Sequence, residues 1–554
     1  METKSSRVKR IIVLLLKLVA IEECLFHIIS HYYIEVNAFS ISPSFIISLL
    51  ALVTLSWYTK NFQKKDYFKP THIPLIFALL FLAIHFRAGI LWASNIFPLK
   101  DAGAVLLTLQ EPFDDLAYSM VRQYLTTTIP QALIATIFLT IFLYALFSRT
   151  RNRLIAIAIY FISTLVILCH DLPLSDYFHI LNDNPEKSAS YSKFFAENYA
   201  NPDSVTITTP NQKRNLILIY LESLETTFAD KEHGGFQEEN LIPELTELAL
   251  HNTSFGNGRN QIGGGLDATG SNHTFGSFHT RTLGIPIVKF VKTPILHQYS
   301  SLYKFLNKQG YKQIFFQGNP GLFEQFQNFA IEQQIDEIYN PDDLIQRLNL
   351  NIEDLIRKQG YKTVQDRDAF RFAQQILDTI AKPFSLTFFT IDTHGPNGMY
   401  DPDCIKISNE SDKEEQHRAT ARCVSKELDR FLTSLKSKPF YENTSIVIFG
   451  DHLLMGTSLV KGFSNRKWVN VFVNPSKSPI SEKNRLFTDV DMFPTILSSM
   501  NFDIEGDRLG LGTDLFSDQK TLVEKIGLDS LNKEFQNIPS HLIYESYLHK
   551  KKSK

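Results

Sequence analysis

Apolar positions are spread unevenly along this chain. Before about Asp171 they gather into long runs; after it, short apolar runs alternate with charged and turn-forming residues. The first pattern suits helices surrounded by lipid, the second a domain surrounded by water. Five stretches, roughly 11–30, 41–58, 73–93, 129–147 and 154–172, come close to the ~20 apolar residues that a spanning helix needs. The first contains Lys17, Glu22 and Glu23 and follows a basic start, yet it lacks a small-residue cleavage site. A retained span is therefore expected there rather than a signal peptide. The pattern predicts a membrane domain over 1–182 with five transmembrane helices, a polar connector over 183–214 and a soluble domain over 215–554.

The flanks give this arrangement a direction. Lys4, Arg7, Lys9 and Arg10 precede the first stretch, Lys60, Lys64, Lys65 and Lys69 separate the second from the third, and Arg149, Arg151 and Arg153 separate the fourth from the fifth. The positive-inside bias puts these segments in the cytoplasm, and an odd number of spans then delivers everything after His170 to the outer side. A multi-pass membrane protein whose soluble domain lies on the extracytoplasmic side is expected. Arg87, at the outer end of the third stretch, is a candidate to meet a lipid phosphate, although snorkelling to the head-group layer explains it equally well.

In the soluble half, β-branched and aromatic runs bounded by turns predict strands at 215–221, 312–317, 384–391, 444–450 and 469–475. Segments of helical period lie between them, at 301–308, 366–381 and 424–436. Strands alternating with helices predict an α/β domain, an open and mainly parallel sheet with helices on both faces.

Charge and cysteine content narrow the partners. A formal net charge of -2 gives no bulk reason to expect nucleic acid, whose backbone calls for a concentrated basic surface. The one dense basic run, Lys550 to Lys554, is expected to be a solvated terminus. Of the four cysteines, Cys24 and Cys169 fall in apolar stretches. Cys404 and Cys423 remain as the soluble pair, and in an exported domain a disulfide between them is expected.

The polar residues that follow the predicted strands carry the chemistry. Glu222 follows the first, Asp392, Thr393 and His394 follow the third, and Asp451 with His452 follow the fourth. Ligand sites in open α/β sheets collect at the carboxyl ends of strands. Carboxylate and imidazole together suit one divalent cation, Zn²⁺ or Mn²⁺, with Mg²⁺ a further possibility. Singly, each residue has a plainer explanation: a post-strand Glu is usually a helix-start charge, and a lone His is usually a surface residue. It is their coincidence at three strand ends that points to a metal. The segment QIGGGLDATGSNHTFGSFHTRTLGIPI offers Thr269, Ser271, Thr274, Ser277 and Thr280 as hydroxyl nucleophiles, and periodicity does not choose among them. A nearby divalent cation is the physical route to such a nucleophile, because it stabilises the deprotonated hydroxyl.

Taken together, YLESLE at 220–225, NHTFGS at 272–277 followed by LGIPI at 283–287, TIDTHGP at 390–396 and GDHLLM at 450–455 resemble the motifs of the alkaline-phosphatase-superfamily head-group transferases, whose catalytic domain is sulfatase-like. FTDVDMFPTIL at 487–497 is similar to the late segment that closes the core of that family. The nearest members are the phosphoglycerol transferases of periplasmic glucans, with lipoteichoic acid synthases and phosphoethanolamine transferases as relatives. The resemblance implies that Glu222, Thr274, Asp451 and His452 hold the metal, that Thr274 is the nucleophile, and that His394 holds the donor phosphate or protonates the departing group. Asn319 and Glu324, in GNPGLFEQFQ, would face the head group; that stretch has no arginine for a glycerol phosphate, and Glu324 suits an ammonium instead. The Cys-X-Pro-X-Arg pattern of sulfatases is absent around Thr274, which disfavours sulfate-ester hydrolysis.

The expected activity is metal-dependent transfer of phosphoglycerol from phosphatidylglycerol to an envelope glycan through a phospho-threonine, with release of diacylglycerol. Its alternatives are phosphoethanolamine transfer to lipopolysaccharide or another envelope glycan, hydrolysis without an acceptor, and a non-catalytic membrane-anchored sensor.

Overall fold

The computed structural model describes residues 193–536 apart from 257, 259, 288–299, 320–322, 354–362, 396, 456–457 and 461, together with 124–147 and scattered positions between 74 and 88. The chain divides into two compact units, Met1–Lys100 with Ala117–Phe178, and Asp101–Leu116 with His179–Lys554. In the first unit, the helix Ile129–Phe147 coincides with the fourth expected span, and its side chains are described in part. Among the described residues no helix is long and apolar enough to cross a membrane. Most of the other expected spans, and Arg87, lie outside the described residues.

The second unit is built on a seven-stranded sheet. Its strands are β1 (Asn215–Leu221), β2 (Gly264–Gly265), β3 (Lys312–Gln317), β4 (Glu337–Tyr339), β5 (Phe384–Phe389), β6 (Thr444–Gly450) and β7 (Trp468–Val473). They lie in the order β2-β7-β6-β1-β5-β3-β4. The five strands from β6 to β4 run parallel, whereas β7 and β2 are antiparallel additions at one edge, so the sheet is mixed. Strand β7, between β6 and the short edge strand β2, corresponds to the run expected at 469–475; an apolar run records burial but not direction, so its antiparallel pairing has no sequence signal.

Strand β1 shows why these runs are unbroken. Ile217, Ile219 and Leu221 enter one core with residues of helices α2 (Asp366–Leu377) and α3 (Lys413–Leu435). Leu216, Leu218 and Tyr220 enter the opposite core with residues of α1 (Thr274–Leu283) and α4 (Met492–Ser499). Alternate side chains point to opposite faces, and because helices cover both, the positions from Leu216 to Leu221 are all apolar or aromatic. Fully burying each Leu or Ile contributes about 2 kcal/mol relative to leaving it in water.

Helix α3 begins at Lys413 rather than near 424, because Asp412 accepts hydrogen bonds from the amides of Glu414 and Glu415. Its first turns are charged, so apolar periodicity does not reveal them, but the cap fixes the start. Residues 193–208, inside the expected connector, fold onto this unit. Phe195 is buried beside Leu522 and Leu531, and Ile207–Thr208 pairs antiparallel with Asp503–Ile504.

Candidate metal centre and nucleophile

Strands β1 and β6 are neighbours in register, so Glu222 and Asp451 emerge side by side at the carboxyl edge. The strand ends approach closely: a Cβ at Gly450 would lie 1.7 Å from the Leu224 carbonyl oxygen, so only glycine fits there. Beyond the ladder, the Asp451 amide donates to the Leu221 carbonyl at 3.0 Å, and the Ser223 amide donates to Asp451 Oδ1 at 2.6 Å. Ser223 takes the left-handed conformation, φ 51°, which turns the chain sharply after Glu222.

Carboxylate oxygens of Glu222 and Asp451 and a ring nitrogen of His452 all lie within 4.8 Å of one another, and the three residues are buried. His452 Nε2 is 3.5 Å from Glu222 Oε1, 3.6 Å from Asp451 Oδ2 and 3.3 Å from Thr274 Oγ1. Its Nδ1 faces the Leu453 carbonyl at 3.0 Å, so the proton belongs there and the Nε2 lone pair faces the carboxylates. Thr274 opens α1, where the helix dipole and unpaired amides favour negative charge on its oxygen or on a phosphate beside it. Three of the other candidate hydroxyls are engaged locally: Ser277 Oγ donates to the Thr274 carbonyl and Thr280 Oγ1 to that of Gly276, while Ser271 Oγ contacts Thr280; Thr269 lies before the helix, its amide donating to Asn532 Oδ1 at 2.9 Å.

The electrostatics are those of a site short of positive charge. Burial, followed by the neighbouring Asp451, pushes the Glu222 carboxyl up to about 8. Burial opposes a charge on His452, but the Asp451 and Glu222 carboxylates outweigh it and raise its pKa. Asp451 Oδ2 is buried without a hydrogen-bond partner among the described residues. Two buried carboxylates, an imidazole lone pair and a hydroxyl converging on one point form a donor set that fits a divalent cation of the Zn²⁺ or Mn²⁺ kind.

The third strand end behaves differently. Thr393, after β5, donates through its hydroxyl to the Glu222 carbonyl, while its own carbonyl meets His417 Nε2 at 3.1 Å. His394 is half-buried, its Nδ1 facing the Gly395 carbonyl at 2.8 Å, and it is outside the cluster of three. Asp392 pairs instead with Asp366 at the start of α2: Asp366 Oδ1 accepts from the amides of Ile391 and Asp392, and Asp392 Oδ2 accepts from the Asp366 amide. Asn319 is buried just beyond β3. Glu324 falls on the helix Phe323–Glu332, but its side chain lies outside the described residues. Cys404 and Cys423 are joined in a disulfide, Cα to Cα 5.9 Å, which staples the loop after His394 to α3.

Sequence reasoning missed the groups that hold this site in place. Glu225 is buried, accepts from the Leu454 amide at 3.1 Å and pairs with Arg466, whose Nε lies 2.8 Å from Glu225 Oε2. Arg281, on α1, donates to Asp489. Neither pairing has a sequence signal, because the partners are far apart along the chain.

A mixed sheet covered by helices on both faces, with a buried acid–histidine cluster and a helix-opening threonine at its carboxyl edge, defines an α/β protein of the phosphatase and sulfatase type. Residues 214–502 match the sulfatase family model, and the chain belongs to that family, within the alkaline phosphatase superfamily. Phosphoglycerol transferase I of Salmonella arizonae is 25% identical over 370 residues, covering 63% of this chain and 43% of its own. The enzyme of the same name from Escherichia fergusonii is 26% identical over 333 residues, covering 56% and 40%. This chain thus spans about two fifths of the length of the curated relatives it matches. Among solved structures, a lipoteichoic acid synthase from Listeria monocytogenes aligns with a TM-score of 0.46 at 16% identity, over 62% of this chain and 96% of its own. A lipooligosaccharide phosphoethanolamine transferase from Neisseria meningitidis aligns with a TM-score of 0.47 at 13% identity, over 89% and 95%.

Proposed function

We propose that this chain is a phosphotransferase that moves phosphoglycerol from phosphatidylglycerol to the hydroxyl of an envelope glycan, with Thr274 as the nucleophile. The observation that carries the reading is the convergence of Glu222, Asp451, His452 and the Thr274 hydroxyl on one buried point. Glu222, Asp451, His452 and Thr274 Oγ1 would hold the cation, which when bound supplies positive charge against the negative charge that builds on the hydroxyl and phosphate oxygens.

Thr274 Oγ1 attacks phosphorus, the bond from phosphorus to the diacylglycerol oxygen breaks, and diacylglycerol departs. The proton Thr274 gives up is balanced by the one diacylglycerol gains, and the family resemblance assigns its delivery to His394. The glycan hydroxyl then attacks the phospho-threonine, restoring Thr274 and losing its own proton. Both steps are in-line displacements, so fixing Thr274 at the first turn of a helix lowers the entropy cost of each. In this reading the catalytic unit lies outside the cytoplasmic membrane, in keeping with the expected parity of spans and with a disulfide in an oxidising compartment.

One sequence feature favours a second reading, phosphoethanolamine from phosphatidylethanolamine. The stretch GNPGLFEQFQ supplies Glu324 and no arginine, a balance that suits an ammonium. The test is to give the purified full chain, loaded with Zn²⁺ or Mn²⁺, vesicles in which one phospholipid carries a fluorescent acyl chain. Labelled diacylglycerol released from phosphatidylglycerol is the expected result. Release from phosphatidylethanolamine alone replaces the first reading with the second, and release from neither overturns both.

A further inference from the structure

Arg281 lies seven positions after Thr274 on α1, and its side chain is fully buried. Nε donates to Asp489 Oδ1 at 2.7 Å, and Nη2 donates to the main-chain oxygen of Asp451 at 2.9 Å. The guanidinium stacks over Trp468, 4.1 Å from the ring centroid, with Phe449 at 4.8 Å and Tyr220 at 5.6 Å. A cation in this setting is an expensive way to pack a helix on a sheet, because its water must be stripped away and only one carboxylate balances it. With aromatic rings on its flanks, an apolar side chain of similar length would fill the same space. What an apolar side chain lacks is a donor for the Asp451 carbonyl.

That carbonyl belongs to the residue whose Oδ2 is left unpartnered at the site. The far end of the same turn is gripped separately, with Leu454 held through its amide and its carbonyl by Glu225 and Arg466. Arg281 differs from that clamp in being carried by the nucleophile helix itself.

We propose that Arg281 is a positioning residue that locks the helix bearing Thr274 to the metal-binding turn, setting the spacing of Thr274 Oγ1 from Asp451 and His452 and thereby the affinity for the cation. The inference rests on the reading of this cluster as a cation site. Asp489 is its counter-ion, present so that the guanidinium can stay charged at depth. Trp468 and Phe449 hold the guanidinium plane by cation–π contact, so that it presents one edge to Asp489 and the other to Asp451.

The experiment separates positioning from packing. Arg281→Met leaves Asp489 unpaired in the core and is expected to destabilise the fold, whereas Arg281→Met combined with Asp489→Leu removes both charges and is expected to fold. On full-length protein stripped with chelator, Zn²⁺ and Mn²⁺ affinity is read by titration calorimetry, stability by thermal melting, and kcat and KM separately with the fluorescent donor. The double variant is expected to melt close to the parent yet bind zinc at least about tenfold more weakly, the scale on which removing a support behind a metal ligand acts. Its kcat is expected to fall with KM unchanged. Parent-like zinc affinity and kcat in the folded double variant overturn the proposal. Arg281→Lys keeps the charge but cannot span Asp489 and Asp451 with a planar fork, and parent-like zinc affinity in that variant overturns it too. A parent that binds no divalent metal sinks the cation reading itself, which is a different result from a parent that binds and a double variant that binds equally.

Discussion

Two pairs of buried carboxylates stand at the same edge of the sheet, Glu222 with Asp451 and Asp366 with Asp392. In each pair backbone amides satisfy one or more oxygens: those of Ser223 and His452 reach Asp451 Oδ1, and those of Ile391 and Asp392 reach Asp366 Oδ1. In each, an oxygen is also left buried without a partner among the described residues. The difference is in what else arrives. His452 and Thr274 bring a lone pair and a hydroxyl to the first pair, which assembles a donor set for a cation. Among the described residues no metal-holding group includes Asp366 or Asp392, and a retained proton is the expected relief of their repulsion. Burial raises both of its carboxyls, Asp366 to about 7. Like chemistry at the strand ends thus serves two purposes, and the neighbours decide which.

The largest effect is expected at the nucleophile. Thr274→Ala should lower diacylglycerol release by at least about a thousandfold while the protein folds and keeps its metal, since the attacking atom is gone but three donors remain. Melting and metal content check the second half of that statement, and turnover at the parent rate would mean the nucleophile is misassigned. Next comes Asp451→Asn, expected to weaken metal binding by more than about a hundredfold, because a ligand charge is lost from a set already short of counter-charge. Equal metal content in variant and parent would remove Asp451 from the site and erase the contrast between the pairs.

The disulfide tests the contrast from the other side. Cys404 and Cys423 are 19 residues apart, and opening a loop of that size is expected to cost about 3 kcal/mol of stability. The loop it staples follows Asp392 and His394, not Asp451, so Cys404→Ser with Cys423→Ser should lower the melting temperature and leave zinc affinity within about twofold of the parent. A large loss of zinc affinity would show that the two halves of the rim are mechanically one.

Much of this could be read in the sequence, for identifiable reasons. Strands β1, β3, β5 and β6 are covered on both faces, so apolar side chains fill most of each, with small polar residues such as Ser385 and Thr387 between them in β5, and the acids and histidines that follow β1, β5 and β6 fall at the rim. Glu222, Asp451 and His452 stood out on that ground alone. Thr274 did not, since the hydroxyls around it are chemically alike; only the fold shows Ser277 and Thr280 bonded to the carbonyls of their own helix. The antiparallel direction of β7 was hidden because VNVFVNP looks like any buried strand. Arg281 and Asp489, separated by 208 positions, meet only through the packing of α1 against the segment before α4. Asp366 looks like an ordinary acid at a helix start, and nothing local tells that its carboxyl caps the end of β5 rather than its own helix.

On turnover and zinc affinity the smallest effect is expected at Asp366, whose substitution is also the most direct probe of the proton-holding pair. A carboxyl whose folded-state pKa stands above its unfolded value keeps a proton that the unfolded chain has already released. Its contribution to stability is therefore complete below about pH 4 and is lost as the pH rises towards 7, the value to which burial pushes Asp366. Asn at this position still accepts from the amides of Ile391 and Asp392 but has no proton to lose. Asp366→Asn should consequently gain stability relative to the parent as the pH rises from 4 to 7, with a slope of at most about 1.4 kcal/mol per pH unit, and zinc affinity should stay near the parent's. Denaturant melts of parent and variant at pH 4.5 and 7.5 read the difference directly. A parent-to-variant gap that stays constant across that window would mean that Asp366 is already ionised, and that the second pair balances its charge by some means other than a retained proton.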